Sequence, residues 1–432
     1  MDRLRIVIVG AGFAGYHAAR SLAARVGTDA EIVLINPTDY FLYLPLLPDV
    51  AAGVLDPRRV AVSLPATLPG VRLVLGEVDA VDLDGSAVEW ADPEGGRGRI
   101  SYDRLVLAAG SVNKLLPIPG VAEHATGFRG LPEALYLRDH VTRQVELADT
   151  ASDPREREAR CTFVVVGAGY TGTEIAAQGP LLTDALLRRH PRLRDQPVRW
   201  LLLDLAPRVL PGLAERLSST ADEVLRSRGV EVRTGQSIEE ATADGVRLTT
   251  GETVPTRTLA WCVGVRPDPL VAELGLPMEK GRLVVDEYLG VPGHPKVFAC
   301  GDAAAVPDLT RPGETTAMTA QHAVRQGRRA GRNVAASLGH GRRRGYKHHD
   351  LGFVVDLGGR AAAASPLRIP MSGLPAKAVT RAYHLISMPG NRIRTAVDWT
   401  LDAALERQTV QLGLVRSPAV PLDTSSPEVP RR

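Results

Sequence analysis

The sequence predicts an α/β protein with two similar parallel-sheet units and a small helical extension at the C-terminus. One pattern occurs twice: residues 6–15 (IVIVGAGFAG) and 163–172 (FVVVGAGYTG) each join an unbroken apolar run to Gly-x-Gly-x-x-Gly and a helical stretch. A second predicted strand follows the helical stretch of each copy, at residues 31–35 and 198–203. Unbroken apolar strands are typical of parallel sheets covered on both faces, so each copy predicts a βαβ unit. The copies start 157 residues apart, which is about the length of one domain.

The composition is that of an ordinary globular protein. Of the 432 residues, 44% are hydrophobic and 23% are charged, and the formal net charge of +3 is too small to indicate a nucleic-acid partner. The N-terminal residues run directly into the first apolar strand, and no stretch approaches about 18 consecutive apolar residues. We therefore expect a cytoplasmic protein that is at most peripheral on the inner face of the cell membrane.

The three cysteines, Cys161, Cys262 and Cys300, are far apart in the sequence. They form neither a CxxC pair nor a spacing typical of a zinc site. We expect them to be small core residues, in a protein that has neither a redox disulfide nor a metal site.

A Gly-x-Gly-x-x-Gly loop between a strand and a helix is the signature of a Rossmann-type dinucleotide site. The first glycine makes a tight turn, the second lets the backbone approach a pyrophosphate, and the third lets the helix pack on the strand. The phosphates then lie at a helix N-terminus, where N–H groups and the helix dipole favour anions. A single motif is weak evidence, but two in the required context predict two dinucleotide sites. Their predicted contacts are Gly10, Gly12, Phe13, Ala14 and Gly15 in the first unit, and Gly167, Gly169 and Gly172 in the second.

The residue that ends the second strand of such a unit contacts the adenosine ribose. In the second unit this residue is Asp204, whose charge would repel the 2′-phosphate of NADPH and favours NADH, although Arg208 follows closely. In the first unit it is Asn36, which either accepts a ribose hydrogen bond or simply forms a turn with the following proline. Glu174 follows the second loop, either as an acid that stabilises a helix N-terminus or as an acceptor for the nicotinamide or ribose.

Further motifs resemble those of flavoproteins with two dinucleotide-binding domains. The strand-and-turn motifs and the second FAD motif of that superfamily are similar to residues 102–111 (YDRLVLAAGS), 261–267 (WCVGVRP) and 297–304 (VFACGDAA). Within it, the chain resembles the type II NADH dehydrogenases (NADH:quinone oxidoreductases) over roughly residues 4–415. The flavin-flanking loop, the NADH loop and the quinone-site helix of that family are similar to residues 41–47 (FLYLPLL), 167–174 (GAGYTGTE) and 319–327 (TAQHAVRQG).

The resemblance implies an enzyme that passes a hydride from NADH to non-covalent FAD and then electrons to a quinone. It places FAD at the first glycine loop and at Asn36, Pro45, Ala109, Gly110, Gly301, Asp302 and Gln321. It places NADH at the second loop and at Glu174, Asp204 and Gly264. The implied quinone contacts are Gln321, Arg325 and Gln326, and the implied catalytic residues are Glu174 and Gln321. A helix that begins near Thr319 would direct its positive end at the reduced flavin.

The chain departs from the family pattern at two places. Asn36 stands where the FAD loop usually has an acid. The quinone-site helix commonly reads Ala-Gln-x-Ala-x-Gln, whereas here Arg325 holds the last position and glutamine comes one residue later, at Gln326. One residue turns a side chain by about 100° around a helix. The second quinone contact is therefore open.

Three alternative functions fit parts of the sequence. One is a soluble NADH-dependent reductase of a protein electron carrier of the ferredoxin or rubredoxin type, although such reductases usually end in a compact β-rich domain. Another is a flavoprotein with low turnover that resembles apoptosis-inducing factor. A third is a sulfide:quinone reductase, which needs reactive cysteines, and against which Asp204 and Glu174 argue.

The C-terminal region predicts two helices. Ala376, Val379, Tyr383 and Ile386 recur at helical spacing, with Lys377 between them, and so do Ile393, Val397, Leu401 and Ala404. Their apolar faces would contact a membrane surface, with Tyr383 and Trp399 as interfacial aromatics, or pack on the FAD domain or a second subunit of a homodimer. Residues 339–349 (GHGRRRGYKHH) either attract anionic lipid or form a solvated loop.

The expected domain boundaries follow from these motifs. We expect an FAD-binding domain from residues 1–120 and 290–345, and an NADH-binding domain at 121–289. The C-terminal membrane-surface or dimer region should comprise residues 346–415, followed by a disordered tail at 416–432.

Overall fold

The computed structural model of the chain describes residues 3–349, 351–417 and 420–422, apart from the side chain of Arg368. The described helices are α1 Phe13–Val26, α2 Leu47–Ala51, α3 Leu64–Thr67, α4 Val121–His124, α5 Leu131–Thr150, α6 Pro154–Arg160, α7 Tyr170–Leu187, α8 Glu215–Ser227, α9 Ala320–Ser337, α10 Gly373–Ser387 and α11 Arg392–Ala404. Short 3-10 helices lie at Leu44–Leu46, Pro57–Arg59, Pro191–Leu193, Pro269–Leu274, Gly301–Ala303 and Pro366–Arg368.

The strands are short, as is usual for sheets of globular proteins. They are β1 Leu4–Val9, β2 Ala30–Asn36, β3 Tyr40–Leu42, β4 Ala61–Ser63, β5 Val71–Leu75, β6 Glu77–Asp82, β7 Ala87–Ala91, β8 Arg97–Ser101, β9 Arg104–Leu107, β10 Ser111–Asn113, β11 Thr162–Val166, β12 Arg199–Asp204, β13 Val230–Thr234, β14 Ile238–Ala241, β15 Gly245–Leu248, β16 Thr253–Pro255, β17 Thr258–Trp261, β18 Val265–Pro267, β19 Met278–Glu279, β20 Arg282–Val284, β21 Gly290–Val291, β22 His294–Ala299, β23 Ala304–Ala305, β24 Val354–Asp356, β25 Ala362–Ala364 and β26 Met371–Ser372.

The chain divides into two compact units, and both are discontinuous in sequence. Unit 1 comprises residues 1–42, 61–112 and 265–349. Unit 2 comprises residues 43–60, 113–264 and 350–432.

Unit 1 is built on a six-stranded sheet in the order β21-β22-β9-β1-β2-β5. All neighbours in this sheet are parallel except the β21–β22 edge pair. The central strand β1 is fully buried at Ile6, Val7 and Ile8, which explains its unbroken apolar sequence. Helices α1 and α9 pack against each other in this unit. The predicted first βαβ unit is therefore present as β1-α1-β2.

Unit 2 repeats this design on a four-stranded parallel sheet in the order β13-β12-β11-β17. Its first strand β11 is buried along its whole length, and α7 connects it to β12. Val166 lies opposite Leu203 and Trp261, just as Val9 lies opposite Ile35 and Leu107 in unit 1. The repeated sequence pattern thus corresponds to the same strand pairing in both units. The predicted fold class is confirmed.

The unit boundaries differ from the predicted domain boundaries in three places. Residues 43–60 belong to unit 2, because Asp49 accepts hydrogen bonds from Gln178 and Trp399. Residues 265–289 belong to unit 1, because β20 pairs with β23. From residue 350 onward, the C-terminal region that we expected to stand apart belongs to unit 2.

The C-terminal helices form where their spacing predicts them, but one detail of the prediction is wrong. Trp399 is 3% exposed and donates a hydrogen bond to Asp49 Oδ2 over 2.8 Å, so it is a core residue and no interfacial aromatic. Lys377 is 7% exposed and forms an ion pair with Asp356. The same helices leave Ile386, Ile393 and other apolar residues exposed.

We predicted a disordered tail at residues 416–432. Of these, residues 418–419 and 423–432 lie outside the described residues. Val420 and Leu422 are buried, and Leu422 joins the apolar core of unit 2 beside Val121 and Trp261. Disorder is therefore wrong for these two positions. None of the helices in the described parts of the chain is long and apolar enough to cross a bilayer.

Candidate functional site: two dinucleotide loops and a buried acid cluster

The first glycine loop joins β1 to α1 and needs glycine at two positions for steric reasons. Gly10 has φ +88°, and a Cβ there would lie 2.5 Å from the Ala108 carbonyl oxygen. A Cβ on Gly15 would lie 1.8 Å from the Gly10 carbonyl oxygen. At Gly12 no atom lies within 4 Å of the Cβ position, so the backbone is open to a ligand. This contrast matches the separate roles of the three glycines in a pyrophosphate-binding turn.

Asn36 ends β2 beside this loop and uses both ends of its amide. Its Oδ1 accepts a hydrogen bond from the Ala11 N–H over 2.8 Å, and its Nδ2 donates to the Thr38 carbonyl oxygen over 2.9 Å. A carboxylate could accept the first bond but could not donate the second. The departure from the family pattern thus has a local reason, and the ribose contact predicted for Asn36 stays a prediction.

Some of the other predicted FAD residues of unit 1 lie at the start of α1. Ala14 packs against two glycines: a Cβ on Gly301 would lie 2.8 Å from Ala14 Cβ, and one on Gly327 would lie 2.0 Å from its carbonyl oxygen. The Phe13 ring meets Phe41 edge-on at 5.1 Å. The glycine turn at the start of α1 is thereby held tightly.

A second turn of unit 1 carries the other predicted FAD contacts. Gly110, which follows Ala109, has φ +79° and open space at its Cβ position. Asp302 is half-buried, accepts a hydrogen bond from Ser111 Oγ over 2.8 Å, and has a pKa that burial raises. Pro45 lies in unit 2, in the Leu44–Leu46 turn, so its role as an FAD contact stays a prediction.

The second glycine loop, between β11 and α7, repeats the geometry of the first. Gly167 has φ +105°, and a Cβ there would lie 2.3 Å from the Cys262 carbonyl oxygen. A Cβ on Gly172 would lie 1.8 Å from the Gly167 carbonyl oxygen. The Cβ positions of Gly169 and Gly264 are open. Unit 2 therefore repeats the turn geometry that predicts a pyrophosphate site.

Asp204 ends β12 beside this loop and accepts two backbone hydrogen bonds. The Ala168 N–H donates to Oδ2 over 2.5 Å and the Ala206 N–H donates to Oδ1 over 2.7 Å. Arg208, the residue that left room for NADPH, donates to the carbonyl oxygens of Pro211 and Leu213. Its guanidinium is therefore turned back onto its own loop, and the Asp204 carboxylate remains the charge at the predicted ribose position.

Glu174 lies on α7 but not in its first turn, which contains no acid, so the reading of this residue as a helix-dipole acid is wrong. Its Oε1 accepts a hydrogen bond from the Asp356 N–H over 2.9 Å. Burial raises the pKa of Glu174 well above its usual value, and the neighbouring carboxyls of Asp356 and Asp49 raise it further. Glu174 is thus an acid suited to hold a proton.

Glu174 belongs to a group that we call the buried acid cluster: Asp49, Glu174, Asp356 and Lys377. Lys377 Nζ contacts both carboxylate oxygens of Asp356, at 2.5 and 2.7 Å. Burial, followed by the charge of Asp356, raises the pKa of Asp49. Lys377 is thus ion-paired with Asp356, and its charge also acts to lower the pKa values of Asp49 and Glu174. Sequence reasoning missed all but Glu174, although an aspartate within the apolar run 44–55 was a signal.

The predicted acceptor residues lie on α9 in unit 1. Arg325 Nη1 donates to Gln321 Oε1 over 3.1 Å, so these two residues are brought together. Gln326 is 1% exposed, accepts from the Gly301 N–H and donates to Thr316 Oγ1. Both ends of its amide are thus engaged within unit 1, which argues against a quinone contact, and the contact stays a prediction. Thr319 caps α9 as predicted, by accepting from the His322 N–H.

A histidine–tyrosine group beside Arg325 was not predicted. His322 Nδ1 and the Tyr346 hydroxyl are 2.9 Å apart, and the His322 ring lies 4.0 Å from that of His348. Burial lowers the pKa of His322 to about 4 and raises that of Tyr346 to about 12. Both groups are therefore neutral near neutral pH. The position of His322 next to Gln321 in the motif was the available signal.

Two of the three cysteines are core residues, as expected. Cys161 and Cys300 are buried, Cys262 is half-buried, and none is in a disulfide. Burial raises the pKa of Cys161 to about 11 and those of Cys262 and Cys300 to about 12. No group of metal ligands occurs among the described residues. A reactive thiolate is therefore not part of either site.

The comparisons with known proteins agree with this geometry. The family described as pyridine nucleotide-disulphide oxidoreductase matches residues 4–327. The type II NADH:quinone oxidoreductase Ndh of Mycobacterium tuberculosis (strain ATCC 25618 / H37Rv) is 31% identical over 419 residues, covering 92% of this chain and 88% of that protein. The chain belongs to the type II NADH:quinone oxidoreductases.

Two further relatives of this type II oxidoreductase are similar over most of its length. The demethylphylloquinone reductase NdbB of Synechocystis sp. (strain ATCC 27184 / PCC 6803 / Kazusa) is 29% identical, covering 92% of this chain and 96% of that protein. The structure of NDH2 from Plasmodium falciparum in complex with NADH superposes with a TM-score of 0.86, covering 95% of this chain and all of that one. At 16% identity, the latter likeness establishes the fold alone.

Proposed function

We propose that this protein oxidises NADH and reduces a quinone through bound FAD, without pumping protons. The observation that carries the proposal is the duplicated glycine loop, which gives each unit its own dinucleotide turn with glycine where a side chain would collide. Membership of the type II NADH:quinone oxidoreductases supports the acceptor.

The residues of unit 1 fit FAD. The open Cβ positions at Gly12 and Gly110 let two backbone segments approach a ligand closely, and α1 begins without a side-chain cap on its N–H groups. Asp302 would accept a hydrogen bond from a cofactor hydroxyl, and α9 would present its positive N-terminal end. Bound FAD supplies the hydride-accepting and electron-donating chemistry.

The residues of unit 2 fit NADH. Gly169 leaves room for the pyrophosphate, and Asp204 places a negative charge where the 2′-phosphate of NADPH would lie. Glu174 would accept a hydrogen bond from the nicotinamide or ribose through Oε2, which has no hydrogen bond within the described residues. Its raised pKa also lets this carboxyl hold one of the protons that quinone reduction consumes.

Gln321 and Arg325 are the proposed contacts of the quinone in unit 1. Their side chains touch each other and are half-buried, so both amide and guanidinium N–H groups would reach quinone carbonyl oxygens. A guanidinium in place of the family's glutamine adds a positive charge. That charge would stabilise the negative charge that develops on a quinone oxygen during reduction.

The alternative functions are weaker on the same geometry. Buried thiols with raised pKa values argue against sulfide:quinone and disulfide chemistry. A ferredoxin reductase from Rhodopseudomonas palustris has a TM-score of 0.67, but at 21% identity it shares the fold alone. No observation favours a protein carrier as the acceptor.

Anaerobic mixing of the purified yellow protein tests the proposed function. NADH should bleach the flavin faster than NADPH does, and a menaquinone analogue should then restore the colour. Bleaching by sulfide alone would contradict the proposed donor. If NADH bleaches the flavin and no quinone restores the colour, the acceptor is wrong and the two dinucleotide sites stand.

We further infer that the α10–α11 surface docks on a membrane, where the quinone would be found. Exposed apolar residues on these helices form the docking face: Ile386 (74% exposed), Ile393 (81%), Val397 (48%) and Leu401 (49%). Exposed Arg392 and Arg394 flank it and suit a headgroup region. Ile393→Asn/Val397→Asn should reduce flotation with phosphatidylcholine vesicles, whereas Leu75→Asn, at another exposed leucine, should not. A change in molar mass with unchanged flotation would assign the face to a homodimer.

A further inference from the structure

The positive charge of this chain is concentrated in one segment. Residues 319–349 contain eight lysines and arginines and no aspartate or glutamate, although the whole chain has a net charge of only +3. Helix α1, which packs on this segment through α9, also has no acidic residue and carries Arg20 and Arg25. The charge is thus much less evenly spread in unit 1 than the composition suggests.

Close packing of α1 on α9 brings these cations together. A Cβ on Gly331 would lie 2.6 Å from the Ala18 carbonyl oxygen, as one on Gly327 would meet Ala14. Since Ala14 faces Gly327 and Ala18 faces Gly331, the two helices run parallel. Ser21 Oγ also donates to the Arg328 carbonyl oxygen over 3.2 Å, which locks the register.

The cations project from one face of this helix pair. Arg328, Arg329 and Arg332 are spaced at i, i+1 and i+4 on α9 and so lie on one side of it. We call the following set the arginine face: Arg20, Arg25, Arg328, Arg329, Arg332 and Arg344. All are exposed except Arg329, which is half-buried.

The arginine face has no internal counter-charge. None of its six members forms an ion pair with any carboxylate in the described parts of the chain. Instead they repel one another: Arg20, Arg325 and Arg332 lower the pKa of Arg328, after its burial. Arg332 and Arg344 do the same for Arg329. Like charges held this close destabilise the fold unless an anion binds outside.

We propose that the arginine face binds the anionic headgroups of a phospholipid surface. This inference rests on the proposed function, in which the acceptor is a quinone, a molecule expected in the membrane. Gln321 and Arg325, the proposed quinone contacts, lie on the same helix α9, about two turns and one turn before Arg328. A headgroup layer beside the quinone contacts would neutralise the arginine face.

Other anionic partners fit this surface less well. Neither α1 nor α9 has an exposed large apolar residue, and a protein interface needs such a core. The face also lacks an exposed aromatic side chain on which single-stranded nucleic acid would stack. Several separate guanidinium groups on a pair of helices instead suit several separate, mobile phosphates. Each basic residue near an anionic bilayer strengthens binding by about fivefold.

The test uses the full-length, FAD-loaded protein and sedimentation with vesicles. Binding is compared between phosphatidylcholine vesicles and vesicles that also contain phosphatidylglycerol, at low and high salt. The variant is Arg328→Glu/Arg332→Glu. The matched control is Arg192→Glu/Arg216→Glu, which makes the same net-charge change at exposed arginines of unit 2.

The wild-type protein should prefer the anionic vesicles, and high salt should weaken that preference. Arg328→Glu/Arg332→Glu should reduce the preference by about tenfold or more, and the control by less than about twofold. Turnover with a water-soluble quinone should not change, since neither residue is a proposed quinone contact. The thermal midpoint should be equal or higher, because the repulsion is relieved.

Two results would overturn the inference. One is equal loss in the variant and the control, which would mean that net charge alone sets binding. The other is salt-sensitive binding of duplex DNA or an acidic protein by the arginine face with no preference for anionic vesicles. Because sedimentation needs no turnover, a protein that binds these vesicles but reduces no quinone would refute the proposed function and leave the lipid surface standing.

Discussion

The two glycine loops share their backbone geometry and differ in the residue that closes them. In unit 1 the Gly10 N–H donates to the Ile35 carbonyl oxygen over 2.9 Å, and in unit 2 the Gly167 N–H donates to that of Leu203 over 2.7 Å. Asn36 and Asp204 then accept the N–H of the next residue in the same way. The two loops therefore have the same turn, closed by the same pair of hydrogen bonds.

The second hydrogen bond of the closing residue separates the loops. Asn36 donates to the Thr38 carbonyl oxygen, whereas Asp204 accepts from the Ala206 N–H. Of these two side chains only the amide can donate, whereas the carboxylate accepts through both oxygens. The local backbone of each unit thus decides which side chain closes the loop, and the charge at the ribose position follows from that choice.

The largest expected effect tests whether each loop serves its own cofactor. Gly15→Ala should abolish the flavin colour, while Gly172→Ala should keep FAD and reduce NADH oxidation by about 100-fold or more, because each new Cβ would lie 1.8 Å from a carbonyl oxygen. The measurements are flavin absorbance per mole of protein and steady-state kinetics. Gly12→Ala and Gly169→Ala should fold normally, since their Cβ positions are open. Each should still weaken binding of the same cofactor as its partner variant, because the added methyl group would meet the pyrophosphate. Loss of FAD from Gly172→Ala would reverse the assignment of the units.

Glu174 has no counterpart in unit 1, so its replacement should affect NADH alone. Glu174→Ala should lower kcat/KM for NADH by about 10- to 100-fold and leave FAD bound. Glu174→Gln keeps an acceptor for the Asp356 N–H but cannot titrate. If Gln restores activity fully and leaves the pH profile unchanged, Glu174 holds no proton in the reaction.

Exchanging the closing residues tests the explanation of Asn36. Asn36→Asp should cost about 1–3 kcal/mol in the free energy of unfolding, because a carboxylate would face the Thr38 carbonyl oxygen. Asp204→Asn should cost a similar amount and raise the use of NADPH relative to NADH by about tenfold. Urea unfolding and the ratio of kcat/KM values measure these effects. Equal stability of Asn36→Asp and the wild type would show that the second bond does not select the residue.

The smallest expected effect is a change in how the free energy of unfolding depends on pH, caused by two acids of unit 2. The pKa values of Asp49 and Glu174 are raised in the folded state, so their contribution to stability is present at low pH and lost as the pH rises through those values. Asp49→Asn should flatten this alkaline loss in urea unfolding. Glu94→Gln, a change at an exposed acid, is the control. An unchanged slope in Asp49→Asn would show that Asp49 does not retain its proton in the folded protein.

Much of the fold was readable from the sequence because its signals are local. An unbroken apolar strand, glycines at fixed offsets and a helical stretch specify a βαβ unit within about 30 residues. The pairs at Gly10 and Gly15, and at Gly167 and Gly172, lie where close approach permits no side chain. The helical spacing of α10 and α11 was equally readable, but which residues their faces bury was not.

What the sequence by itself determined was the duplicated dinucleotide loop, the closing residues Asn36 and Asp204, and the family. Only the tertiary structure decided the rest. It turned Gln326 inward to Gly301, buried Trp399 against Asp49, and paired Lys377 with Asp356, far away in the chain. It also gathered arginines from two helices onto one face. The physical reason is that the partner of a charged or amide side chain is set by packing between residues far apart in the chain, which a local sequence pattern does not predict.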